Sequence, residues 1–152
     1  MAKYKQRISD RILKRKVLGK GAVLIEGPKW CGKTTTAKQL AKSVLDLGDS
    51  SVLKQSAQLI ELSPKTLLEG KTPRLIDEWQ ALPLIWDSIR SEVDKRGEPS
   101  QFILTGSSVL PEADETIHSG TGRFAYIKMR PMSPRRKKSH NRNRTGSSQK
   151  AW

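Results

Sequence analysis

The sequence predicts an α/β fold, a parallel five-stranded sheet sandwiched by helices, on three observations. Short apolar runs alternate with stretches of helical periodicity over most of the chain, the pattern of strands and crossover helices packed in layers. A glycine-bounded loop, Gly27 to Thr34, joins one such run to a helix-forming stretch. A later run, Arg74 to Asp77, ends in two adjacent acids, and sheets of this class gather ligands at the carboxyl ends of their strands.

Three parts follow in order: a lead helix within residues 1–19, a core over 20–133 and a basic tail over 134–152. In the lead segment Ile8, Ile12 and Leu13 recur at helical spacing, which predicts a short helix over Ser9 to Lys16 packing on the core. Ala22 to Glu26 is an apolar run closed by glycine, the first strand. Lys33 to Leu47 follows as a helix, with Ala37, Leu40, Ala41, Val44 and Leu45 on one side. Ser51 to Gln55 is then read as a second strand, and Ala57 to Leu68 as a helix that Pro64 must break or kink. Arg74 to Asp77 is a third strand. Leu84 to Lys95, carrying Trp86, Ile89 and Val93, is a helix ended by Gly97. Phe102 to Thr105 and Phe124 to Met129 complete the five strands.

The 152 residues carry a formal net charge of +14, enough chain for one compact domain and not for a multidomain machine. The basic charge favours polyanionic partners in general. The tail holds Arg135, Arg136, Lys137, Lys138, Arg142, Arg144 and Lys150 with no acid, and its apolar residues are Ala151 and Trp152. That composition predicts disorder, because so little apolar surface cannot offset the entropy of ordering. A single cysteine, Cys31, excludes an intrachain disulfide framework and a cysteine-cluster zinc site. No apolar run reaches the roughly 18 to 20 residues that cross a bilayer, so no membrane partner is expected.

Gly27-Pro-Lys-Trp-Cys-Gly32-Lys33-Thr34 fits G-x-x-x-x-G-K-[ST] in full, after an apolar strand and opening a helix. Gly27 and Gly32 let the loop turn its backbone N–H groups inward on a phosphate. Lys33 would reach the β and γ phosphates of a nucleotide, Thr34 would offer its hydroxyl to Mg²⁺, and Thr35 would contact the α phosphate. Trp30 would either cover the nucleotide or pack on its own domain, and Cys31 is assigned no chemistry.

Asp77 and Glu78 fall 44 and 45 residues after Lys33, at a strand end that the sheet brings near the phosphates. Asp77 would hold Mg²⁺ through water, with the hard oxygen that a small octahedral cation prefers, and Glu78 would accept a proton from the attacking water or orient it. A kinase acting on a metabolite must exclude water, so the adjacent pair favours hydrolysis. Thr105, Ser107 or Ser108, at the end of the fourth strand, would bond the γ phosphate or the water, or form an ordinary strand-to-turn junction. Arg123 would bring charge to a transferring phosphoryl group in its own subunit or a neighbour's, or bind solvent or a carboxylate. A lone His118 points to neither a metal ligand nor a base. Tyr4 and Arg7 lie in the segment where a base could rest.

Five segments in order, Gly27 to Thr34, Leu75-Ile-Asp-Glu-Trp-Gln80, Phe102-Ile-Leu-Thr-Gly-Ser107, His118-Ser-Gly-Thr-Gly-Arg123 and Met129-Arg-Pro-Met-Ser133, resemble the AAA-type ATP-binding proteins of bacteria and archaea that carry a C-terminal domain of unknown function. The resemblance covers about Tyr4 to Ser133. It implies an AAA-like P-loop NTPase core, ATP and Mg²⁺ held by Lys33, Thr34 and Asp77, hydrolysis assisted by Glu78, and a cytoplasmic setting. Members of that family continue beyond the last segment into an acidic stretch and a long C-terminal region, whereas here Pro134-Arg-Arg-Lys-Lys begins the basic tail. The expectation is a truncated or frame-shifted product of a longer gene, able to form a homo-oligomer. Two other readings stay open: a nucleotide-binding module without turnover, and a nucleic-acid-binding protein whose tail contacts phosphates without sequence choice and loses affinity with salt.

Overall fold

The computed structural model describes residues 3–107 and 123–131. Five strands, β1 (Ala22–Glu26), β2 (Ser43–Asp46), β3 (Arg74–Asp77), β4 (Phe102–Gly106) and β5 (Phe124–Lys128), form one sheet in the order β2-β3-β4-β1-β5. Every pairing is parallel, with Ala22 opposite both Phe102 and Phe124, and Leu45 opposite Ile76. β4 therefore separates the strand that feeds the glycine loop from the strand that ends in the acids.

Alternation along the strands sends side chains to two apolar layers, as the period of two requires. Ala22 and Leu24 of β1, Ile76, Phe102, Leu104 and Phe124 face a layer containing Ile60, Leu67, Leu68, Trp86, Ile89 and Val93. These come from helices α3 (Ser50–Leu62), α4 (Pro64–Leu68) and α5 (Ile85–Arg96). Trp86 stacks between Trp79 and Phe124, with ring centroids 5.0 and 5.2 Å away. Val23, Ile25, Leu75, Ile103 and Ile127 face the other layer, covered by Leu13 and Val17 of α1 (Ile8–Gly19) and by Ala37 of α2 (Lys33–Lys38). The result is the helix-sheet-helix sandwich that the sequence predicts.

The lead helix exists, yet its buried residues are Leu13 and Val17, while Ile8 and Ile12 are exposed. The larger corrections lie between residues 38 and 55. The helix after the glycine loop ends at Lys38 instead of running to Leu47, and Ser43–Asp46 is a strand. Three consecutive threonines, Thr34 to Thr36, are poor helix extenders. Lys42 N–H bonds the Pro73 carbonyl at 2.8 Å, which starts the pairing of β2 with β3. Ser51 to Gln55, expected as a strand, lies in α3, whose first turn is capped by the Asp49 carboxylate accepting from Ser51 N–H at 2.9 Å and Val52 N–H at 3.4 Å. The Ser51 hydroxyl, donating to the same carboxylate at 2.7 Å, and then the two capping N–H groups hold that carboxyl below the ordinary carboxylate range. The break expected at Pro64 is there: α3 ends at Leu62, Ser63 leaves the helical region, and Pro64 opens α4 as its first residue, the position where a missing N–H costs nothing. The expected tail and His118 fall outside the described residues.

Candidate functional site

The glycine loop leaves the carboxyl end of β1 and wraps back into α2. Gly27 N–H bonds the Gly106 carbonyl at 3.3 Å, tying the loop to the end of β4. A Cβ at Gly27 would lie 2.5 Å from the Met129 carbonyl oxygen and 2.9 Å from Cys31 Sγ, so the close approach of three chain segments admits glycine alone. Gly32 sits at φ 90°, the left-handed region that favours glycine. Trp30 takes φ 67° and is 99% exposed at the loop tip, so it does not pack on its own domain. Cys31 is buried beneath the loop as core filler.

Lys33 is buried, and its ammonium donates to the carbonyls of Gly27 at 2.8 Å and Pro28 at 2.9 Å. The charge is thus held inside the loop, at the position from which it faces the cleft. Because α2 spans Lys33–Lys38 only, its axial dipole is short and the polarity of the site comes mainly from the loop amides and the lysine.

Across the cleft, β3 delivers Asp77 and Glu78. Thr34 Oγ1 donates to Asp77 Oδ1 at 2.8 Å, and the fully buried Thr105 hydroxyl of β4 donates to the same oxygen. Thr105 Oγ1 also accepts from Glu78 N–H at 3.2 Å. The sequence left Thr105, Ser107 and Ser108 as alternatives. Of these, Thr105 contacts Asp77 and Ser107 contacts the network described next, while Ser108 lies outside the described residues.

Glu78 has φ 57° and ψ 50°, a left-handed conformation uncommon for a residue with a side chain. This turn directs the chain into a short 3₁₀ segment, Trp79–Ala81. Gln80 Nε2 donates to Glu78 Oε2 and to Ser107 Oγ at 3.0 Å. Gln80 was not among the candidates from sequence. The signal was its place two residues past the acid pair at a strand end, within reach of whatever that pair touches.

Between the loop and the acids lies a cavity of about 770 Å³ lined by Gly32, Lys33, Thr34, Thr35, Glu78 and Gln80 among others. It falls within the ~300 to 1,000 Å³ of small-molecule sites. Thr34 and Asp77 form a hard-oxygen pair of the kind Mg²⁺ takes together with phosphate oxygens. The residues present therefore fit a nucleotide with its divalent ion. Gly27, Gly32, Lys33, Thr34, Thr35, Asp77 and Glu78 are brought together. Arg123 is not: it precedes β5, at the amino end of the sheet, where it pairs with Asp94. One strand of five residues spans roughly 16 Å, so Arg123 does not reach this cleft within its own chain.

The parallel sheet and the loop opening α2 define a P-loop nucleoside-triphosphatase fold. A family model described as an AAA domain matches residues 19–136. That match spans most of the chain, which therefore belongs to the AAA-domain family, an ATP-binding module. No curated protein matches it. A solved structure similar to it is that of C. elegans PCH-2, at 18% identity and a TM-score of 0.43, covering 73% of this chain and 35% of that one. The chain thus spans about a third of the length of that structure. Among the described residues, no helix is long and apolar enough to cross a membrane.

Proposed function

We propose that the chain binds ATP with Mg²⁺ in this cleft and hydrolyses it. The observation that carries the reading is the 2.8 Å bond between Thr34 Oγ1 and Asp77 Oδ1 beside the buried ammonium of Lys33. It joins the two halves of the site across the intervening strand. Lys33 exchanges its two loop carbonyls for the β and γ phosphates, the amides of Lys29, Gly32 and Lys33 cradle them, and Thr35 contacts the α phosphate. Thr34 and Asp77 would hold the ion. When bound, Mg²⁺ supplies charge stabilisation to the phosphoryl oxygens. Glu78 orients the attacking water and takes its proton, while Thr105 couples the end of β4 to the acid pair. A base resting near Tyr4 and Arg7 is part of the proposal; a separate cavity of about 330 Å³, lined by Tyr4, Asp10, Thr36 and Gln39 among others, lies beside that segment.

The test is a binding titration with and without Mg²⁺, paired with steady-state phosphate release. Lys33→Ala abolishes binding, whereas Glu78→Gln keeps binding and loses hydrolysis. Equal residual hydrolysis in the wild type and Glu78→Gln would remove Glu78 from its role.

Binding without turnover is favoured by one observation, the pairing of Arg123 with Asp94 away from the cleft. On that reading an arginine acts only from a neighbouring copy, and phosphate release in the isolated chain stays at the Glu78→Gln level until a homo-oligomer forms. A cytoplasmic setting is part of the proposal and rests on the family resemblance. Nucleic-acid binding through residues 134–152 concerns residues outside those described, and deleting them while salt-sensitive DNA retention persists would eliminate it.

A further inference from the structure

We propose that Arg7 is a positioning residue for the phosphate loop, and that through it docking of the lead helix and nucleotide binding are coupled. The inference rests on the nucleotide reading above and adds to it a residue 24 positions upstream of Cys31 in the loop.

Arg7 Nη1 donates to the Cys31 carbonyl at 3.1 Å. The peptide unit is planar and trans, so its C=O and the following N–H point in opposite directions. A guanidinium that pins the Cys31 oxygen from behind therefore turns the Gly32 N–H away from Arg7, and Gly32 lines the cavity. Setting the orientation of one loop amide in this way orders a donor before the anion arrives. The bond is charge-assisted, stronger than a neutral one, and it leaves a fixed positive charge directly behind the loop.

Two further observations make the contact a built one. A Cβ at Gly32 would collide with Arg7 Nη1 and lie 3.2 Å from Nη2, so the guanidinium rests on the bare face of that glycine. The backbone of Arg7 is itself fastened, because its N–H donates to Asp10 Oδ2 at 2.6 Å and the same carboxylate accepts from the Tyr4 hydroxyl at 2.8 and 2.9 Å. Arg7 is also the residue from which α1 starts, and α1 is anchored on the sheet by Leu13 and Val17. An uninterrupted path thus runs from the helix anchor through Arg7 to the loop peptide. Coupling of this kind is reciprocal: if helix docking favours nucleotide, nucleotide favours helix docking to the same degree.

The test uses the full chain, a fluorescent ATP analogue with Mg²⁺, and hydrogen exchange across residues 8–19. Arg7→Met keeps the aliphatic stem and removes the donors, and its affinity for the analogue should fall about tenfold, the scale of one charge-assisted bond. Arg7→Lys, which restores a donor and the charge, should recover part of that loss. ATP should slow exchange in α1 of the wild type and do so less in Arg7→Met. A purely structural role for Arg7 would lower the ligand-free melting temperature and leave the nucleotide-dependent protection of α1 unchanged. If Arg7→Met fails to fold, the wild-type exchange with and without ATP decides alone. Affinity of Arg7→Met within about twofold of the wild type, or α1 exchange indifferent to ATP, overturns the coupling. Failure of the wild type itself to bind, like Lys33→Ala, removes the nucleotide reading and this inference together.

Discussion

The two ends of the sheet use the same kinds of side chain in opposite ways. At the carboxyl end, Lys33, Asp77 and Thr105 are buried and bonded to one another or to the loop across three strands. At the amino end, Arg123 and Asp94 form a single ion pair with side chains 56% and 45% exposed. The first arrangement desolvates polar groups in a cavity and holds them in place, whereas water screens the second. Charge alone therefore does not distinguish a site from a surface; burial with hydrogen bonds that join several strands does.

The largest effect expected from breaking this contrast is at Glu78. Glu78→Gln should cut phosphate release by about 10² to 10⁴ while leaving the ATP affinity close to that of the wild type, measured on the same preparation. Next is Asp77→Ala, which leaves the Thr34 and Thr105 hydroxyls without their shared acceptor. An unsatisfied buried hydroxyl costs about 1 to 3 kcal/mol, so urea melts should register that loss, and titration should lose its dependence on Mg²⁺. Gly32→Ala is expected to cost about 1 to 3 kcal/mol for the left-handed backbone, with weaker nucleotide binding because the new methyl displaces Arg7.

Arg123→Ala sharpens the comparison from the other side. A screened pair contributes roughly 0 to 1 kcal/mol, so the melting temperature should move little and ATP affinity not at all. A large loss of affinity would mean that the amino end communicates with the cleft. The smallest effect is in alkali. Partial burial and the hydrogen bond to Asp10 raise the Tyr4 hydroxyl above its ordinary value of 10.0. Its contribution to stability is therefore complete below that value and lost as the pH rises through the raised one. Melts of wild type and Tyr4→Phe should differ below about pH 10 and converge as the pH rises through that raised value.

The parts of the molecule legible in the sequence were those where one strong local signal coincided with the tertiary demand. Gly27 to Thr34, the apolar run before it and the acids at Asp77 and Glu78 needed no long-range information. The error between Lys38 and Gln55 had a specific cause. Ala37, Leu40, Ala41, Val44 and Leu45 carry a helical spacing by coincidence, and what makes Ser43–Asp46 a strand is the free edge of β3, which lies about 30 residues away in the chain. The start of α3 was readable in principle, since Asp49 before Ser50 and Ser51 is a capping pattern, with Val52, Leu53, Ser56 and Ile60 at helical spacing. The place of Arg123 was also readable: a residue that precedes a parallel strand lies opposite the carboxyl ends. The contacts of Gln80 and Arg7 depend on turns that composition does not encode, the left-handed bend at Glu78 and the approach of α1 to the back of the loop.

Trp30 gives the molecule an optical handle on its own cleft. The indole stands in water at the rim, while Trp79 and Trp86 are stacked inside the apolar layer. The two environments emit at different wavelengths, and only the outer one is open to iodide among these three. Comparing quenching in the native chain and in Trp30→Phe as nucleotide is added reads the filling of the cleft without any attached dye, and it reports from the lip of the pocket, where arrival and departure take place.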